Sequence, residues 1–249
     1  MNLDNVASLY SNKPSLGLSV ATVADYVDSA ENLHGLTVLA GDIKDAQRPW
    51  ALKQLVGNLP PGSRLCEIGG GEPFVADALQ RLGYEVCVVD PYDGAGQGPT
   101  SFDAFQQSYP NLRLVRELFG ETVPGLEAGS FDGIYSISVL EHIPFEELKQ
   151  VGAGIRKYLR PNGFHCHAVD LVVAGPGDAY HFQLVAHLAR VFSVSEADVR
   201  RVLVEAAASS ETYFLSAEAH NRWRGSMPYR DFPMRKVISF NFALRVPPG

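Results

Sequence analysis

Residues 65–79, LCEIGGGEPFVADAL, carry an apolar strand into an acidic residue, three consecutive glycines and the start of an amphipathic helix. Glycines at a strand-to-helix turn let backbone amides and a helix N-terminus approach a ligand closely. In an open parallel sheet that ligand lies beyond the carboxyl ends of the strands. Two common ligand types do not fit. A dinucleotide turn reads G-x-G-x-x-G, and counting from Gly69 and Gly71 the third glycine position holds the bulky Phe74, which disfavours a nicotinamide cofactor. A triphosphate loop needs G-K-[ST], which does not follow. The ligand need not carry phosphate.

Outward from this turn, SRLCEI (63–68) and YEVCVVD (84–90) read as strands joined by a helix over FVADALQRLG, which Gly83 closes. LRLVREL (112–118) and FDGIYSIS (131–138) predict the next two strands. The segment after them places Phe145, Leu148, Val151, Ile155 and Leu159 on one helical face, ended by Pro161 and Gly163. FHCHAVDL (164–171) predicts a fifth strand. Helices are expected near 179–190 and 196–208, the second capped by Ser195 with Glu196 and Asp198 in its first turn. This alternation is that of a parallel sheet with helices on both faces. ETYFLS (211–216) and KVISFNFALRV (236–246) read as two last strands, paired antiparallel across a long polar loop. Residues 1–60 lack strong strand patterns and are assigned to an N-terminal helical cap or lid over a main domain at 61–249.

The chain has 249 residues, 46% hydrophobic and 20% charged, enough for a substantial core. No apolar run is long enough to span a membrane and the N-terminus lacks the pattern of a secretion signal, so a soluble cytoplasmic protein is expected. Cys66, Cys87 and Cys166 are isolated within apolar runs and read as small buried hydrophobes. A net charge of −7 argues against a nucleic acid partner held through its phosphates.

Two carboxylates complete the pattern around the glycines. Glu67 precedes them on the same strand, and Asp90 ends the next strand, where a carboxylate is placed to accept hydrogen bonds from ribose hydroxyls. With Glu67-Ile68-Gly69-Gly70-Gly71-Glu72-Pro73, the sequence resembles the class I S-adenosylmethionine-dependent methyltransferases, whose first motif is [DE]-x-G-x-G-x-G. Pro73 replaces the last glycine, a change that the first position of a helix tolerates. FDGIYSISVLEHIP (131–144) resembles the family's fourth-strand motif, and IRKYLRPNGFHCHAVDL (155–171) the helix, turn and strand after it. The resemblance covers about residues 60–175. It implies a doubly wound α/β fold with a mostly parallel seven-stranded sheet, an antiparallel terminal strand and helices on both faces. The implied cofactor is S-adenosyl-L-methionine, leaving as S-adenosyl-L-homocysteine. Glu67, Gly69 and Gly71 would border its methionine portion, with Gly70 and Ser138 also at the cofactor, Asp90 at the ribose, and Leu118 and Phe119 beside adenine. SVLEHIP is similar to small-molecule O-methyltransferases of the ubiquinone-biosynthesis type. Some of these bind a metal through Glu-x-x-Glu-His, but Ser138 stands at the first glutamate here and no metal is expected.

Methyl transfer to oxygen needs the acceptor aligned with the methyl group and its proton removed by a base near neutral pKa. His142, just past the fourth strand, and His167 and Asp170 on the fifth are the catalytic candidates. The segment 216–236 gathers aromatic and basic residues, of which His220, Trp223, Arg224 and Tyr229 are candidates to bind the acceptor, although an oligomer contact has the same composition. The expected acceptor is a hydroxyl of a small molecule such as a sugar, glycolipid precursor or secondary metabolite. The alternatives are a non-catalytic cofactor-binding module of the same fold, or an N-methyltransferase.

Overall fold

The computed structural model describes residues 3–37, 41–94 and 98–247. Its strands in chain order are β1 (Gly17–Val20), β2 (Arg64–Ile68), β3 (Glu85–Val89), β4 (Arg113–Val115), β5 (Phe131–Ile137), β6 (Leu159–Ala174) and β7 (Lys236–Arg245). They form one sheet in the order β1-β7-β6-β5-β2-β3-β4. β2 to β6 run parallel, and β7 lies antiparallel between β6 and β1. From β2 the chain winds outward to β3 and β4, then returns to β5 on the other side of β2. The carboxyl end of β2 is thus the point where the winding reverses, which opens a crevice there.

β2 and β3 are buried at every position but the first because helices cover both faces of the sheet. Cys66, Ile68, Cys87 and Val89 pack in one core cluster with α6 (Phe145–Tyr158) and α7 (Asp178–Val191). Leu65, Val86 and Val88 pack in a second cluster with α3 (Lys44–Asn58) and α4 (Phe74–Arg81). All three cysteines are free and buried. Ser195 caps α8 (Glu196–Ala208) by accepting the Ala197 amide at 3.1 Å.

The structure corrects the expected ends of the sheet. Residues 211–216 do not form a strand against 236–246. They contribute an isolated bridge, Thr22 to Thr212, and one backbone bond from Leu215 N to Val237 O at 3.0 Å. The reason is competition for edges: β6 takes one side of β7 and β1 takes the other, with Gly17 opposite Ala243 and Val20 opposite Phe240. The polar loop expected after residue 216 contains α9 (Ala217–Arg224), capped by Ser216. Within residues 3–60, β1 joins the sheet, and α3 buries Trp50, Leu52 and Leu55 in the same cluster as Leu65 of β2.

Candidate active site

At the carboxyl end of β2 the chain turns through Gly69 (φ +66°) and Gly71 (φ +54°), a left-handed conformation that costs a side chain about 1–2 kcal/mol. Space is equally limiting. A Cβ on Gly69 would lie 2.7 Å from the Val139 methyls, and one on Gly70 would lie 2.5 Å from Val88 Cγ1 and 3.2 Å from the Glu67 carboxyl. The glycines thus let the backbone pass between β3, β5 and the Glu67 side chain.

Asp90, one residue beyond β3, ties this turn to its neighbour. Its Oδ2 accepts the Gly71 amide at 3.0 Å and its Oδ1 the Tyr92 amide at 2.8 Å. Each oxygen keeps a lone pair for a further donor. Glu67 is buried, and the Tyr135 hydroxyl donates to its Oε2 at 3.0 Å. Burial pushes its pKa up to about 8, with Asp90 adding to the rise and the Tyr135 bond and Arg48 opposing it. A buried carboxyl of this kind is suited to a cation brought by a ligand.

A cavity of about 950 Å³ opens here, lined by the glycine turn, Glu67 and Asp90 together with Leu118, Phe119, Ser138 and His142. Leu118 is 67% exposed, an apolar side chain with no place in the core. Phe119 is part of the core, edge-on to Tyr158 at 6.0 Å, and also lines the cavity.

Beyond β5 a polar group surrounds Asp170. Ser138 adopts φ +52°, left-handed for a residue with a side chain. Its Oγ lies 2.7 Å from Gln47 Oε1 and 2.9 Å from Asp170 Oδ1, so one hydrogen serves two acceptors. Gln47 Nε2 donates to the same Asp170 oxygen at 2.9 Å. The Asp170 amide donates to Glu141 Oε1 at 2.9 Å. Burial, reinforced by Asp170, holds the Glu141 carboxyl well above the usual carboxylate range. His142 ends a 3-10 turn, Leu140–His142, on the cavity lining. Desolvation lowers its pKa, Asp170 opposes this, and Lys44 adds to the lowering. The lowering favours the neutral imidazole, the form that accepts a proton. His181 Nδ1 lies 2.8 Å from the Asp170 carbonyl oxygen.

A family model for the methyltransferase domain matches residues 45–206. The chain belongs to the class I S-adenosylmethionine-dependent methyltransferase family. Two curated relatives are ubiquinone biosynthesis O-methyltransferases. That of Nitrosococcus oceani is 29% identical over 103 residues, 41% of each chain. That of Albidiferax ferrireducens is 26% identical over 136 residues, 53% of each chain. The chain thus spans about half the length of the curated relatives it matches, or less. Phosphoethanolamine N-methyltransferase 2 of Haemonchus contortus, solved in complex with S-adenosyl-L-methionine, shares the fold with a TM-score of 0.50 and 15% identity. The likeness covers 90% of this chain and 60% of that one.

Several expected site residues lie away from the cavity. His167 is fully buried, with Nδ1 2.8 Å from Ser136 Oγ, Nε2 3.2 Å from His165, and its ring stacked on Phe192. It stands three residues from Asp170, and side chains an odd number apart on a strand face opposite sides of the sheet. Nor do the four residues of the 216–236 segment line the cavity. Trp223 Nε1 donates to Asp42 Oδ2 at 2.7 Å, and Arg224 donates to Asn221 and the Met227 carbonyl. His220 is buried and stacked on Phe232, while Tyr229 is 60% exposed at the surface. Conversely, no residue of α3 was among the expected site residues. Lys44 and Arg48 line the cavity and Gln47 holds Asp170, all from a helix before the glycine motif. Their 3- and 4-residue spacing was the available signal for a shared face. Among the described residues no group of three or more His, Cys, Asp or Glu is arranged to hold a metal ion, and no helix is long and apolar enough to cross a membrane.

Proposed function

We propose that this chain transfers the methyl group of S-adenosylmethionine to a hydroxyl of a small molecule. The observation that carries this reading is the convergence of the glycine turn, Glu67 and Asp90 on one cavity that also reaches His142. The residues fit the cofactor: Glu67 meets its ammonium, Asp90 keeps lone pairs for ribose hydroxyls, and Leu118 and Phe119 offer apolar surface to adenine. Arg48, whose guanidinium stacks 4.8 Å over Phe74 on the same lining, suits its carboxylate.

When bound, the cofactor supplies a methyl group on a positively charged sulfur. His142 takes the proton of the acceptor hydroxyl as the oxygen–carbon bond forms and the sulfur–carbon bond breaks. Asp170 is not on the cavity lining; held through Oδ1 by Gln47 and Ser138, it acts on the site through Ser138, which is. The O-methyltransferase names of the curated relatives favour oxygen over nitrogen as the methylated atom.

The test is incubation with methyl-labelled S-adenosylmethionine and a panel of phenols, catechols and sugars beside their matched amines, with products identified by mass spectrometry. Methylation at oxygen, slowed at least about a hundredfold in His142→Ala, is the expected outcome. Methylation of the amines alone would overturn it.

A further inference from the structure

α3 places two cations one turn apart, Lys44 and Arg48, and both line the cavity. Neither makes an ion pair with a carboxylate among the described residues. The cofactor offers them a single carboxylate. Its ammonium and carboxylate sit on the same carbon, so a site that receives the ammonium at Glu67 brings the carboxylate to the cation beside Glu67. That cation is Arg48: burial lowers its pKa against the pull of Asp42, Glu67, Asp45 and Glu72.

Lys44 is left without a cofactor anion. Its charge acts instead on His142 and Glu141, at the end of the site assigned to the acceptor. The acids there do not supply a counter-charge at contact distance. Glu141 is buried and favours its protonated form, and Asp170 Oδ1 is occupied by Gln47 and Ser138. Glu147, also on the lining, is solvent-exposed and makes no ion pair with Lys44. A second cation borders the same polar group. Arg235 Nε is buried without a hydrogen-bond partner among the described residues, and its charge acts on His181, which bonds Asp170. An unpaired cation partly withdrawn from water pairs readily with an anion brought by a ligand.

We propose that the methyl acceptor carries a negatively charged group, a carboxylate or a phosphate ester, which Lys44 binds while the hydroxyl is presented to His142. The proposal rests on the cofactor reading above, and its test separates the two. S-adenosylhomocysteine is first titrated into the wild type and the Lys44 variants, because failure to bind it contradicts the cofactor reading itself. The saturated proteins are then titrated with benzoate, with neutral benzamide and with inorganic phosphate. The expected result is that benzoate or phosphate binds the wild type, and that benzamide binds at least about tenfold more weakly than the better anion. Lys44→Gln weakens the anion at least about tenfold and Lys44→Arg keeps it within about threefold, with S-adenosylhomocysteine affinity unchanged in both. Stronger binding of benzoate assigns a carboxylate, and stronger binding of phosphate a phosphate ester. Equal binding of benzamide and benzoate, no binding of either anion, or Lys44→Gln behaving as wild type would overturn the proposal.

Discussion

Asp90 Oδ2 accepts the Gly71 amide at 3.0 Å, so the carboxylate that ends β3 also fixes the glycine turn that ends β2. The turn after β2 and the Asp90 carboxylate are therefore one unit: what positions Asp90 also holds Gly71 in its left-handed conformation.

The turn tolerates no side chain at Gly69. Gly69→Ala combines a left-handed residue with a methyl pressed against Val139, and is expected to cost about 2–4 kcal/mol. Thermal denaturation measures this, and S-adenosylhomocysteine affinity falls with it. A variant as stable as the wild type would mean that the turn moves freely.

Glu67 gives the fold a pH dependence with a definite sign. Its folded-state pKa, about 8, lies above the unfolded value of 4.5, so between these pH values the folded state holds a proton that the unfolded state lacks. Its contribution is fully present below the unfolded value and is lost as pH rises through about 8. Glu67→Gln keeps an acceptor for Tyr135 and is expected to be more stable than wild type at pH 8–9, the gap closing towards pH 5. The difference between the two denaturation curves isolates Glu67 from the other buried groups. A cofactor ammonium favours the ionised carboxylate, so binding at pH 7 releases a proton. Calorimetry in buffers of different ionisation enthalpy detects that release in wild type and its loss in Glu67→Gln.

The two histidines first considered for catalysis separate by experiment. His167→Ala removes a fully buried ring bonded at both nitrogens and should destabilise the fold by about 3 kcal/mol. His142→Ala removes a side chain that lines the cavity outside the core clusters and should change stability by less than about 0.5 kcal/mol while abolishing most transfer. Stability by thermal denaturation and transfer by mass spectrometry give the two readouts. The reverse pattern would move the base to β6.

Gln47 is a positioning residue. It bridges Ser138 and Asp170 from α3 without lining the cavity. Gln47→Leu is expected to leave S-adenosylhomocysteine affinity within about threefold and to shift the His142 imidazole pKa, because Asp170 is free to turn. Histidine resonances followed against pH by NMR give that value. An unmoved His142 pKa would reduce Gln47 to a packing role.

The parts legible in the sequence were those written locally. Glu67, the three glycines and Asp90 lie within one βαβ unit, whose strand and helix periods are unmixed, and the structure brings them to one cavity. Parts settled by distant competition were not legible. β1 has four residues, too few for a period to emerge, yet it takes the edge of β7 that residues 211–216 were expected to pair with. The arginine and aromatic residues of 216–236 suggested a ligand surface, but Trp223 and Arg224 satisfy themselves on Asp42, Asn221 and Met227. His167 was separable in principle, since strand alternation already set it on the face opposite Asp170.

Calorimetric titration with S-adenosylhomocysteine, on the wild type and on Asp90→Ala, tests the central claim most directly. The account predicts binding with a dissociation constant on the order of 1–10 μM in the wild type, weakened at least about thirtyfold in a variant that circular dichroism shows to be folded. Absence of binding in the wild type, or equal binding in Asp90→Ala, would contradict it.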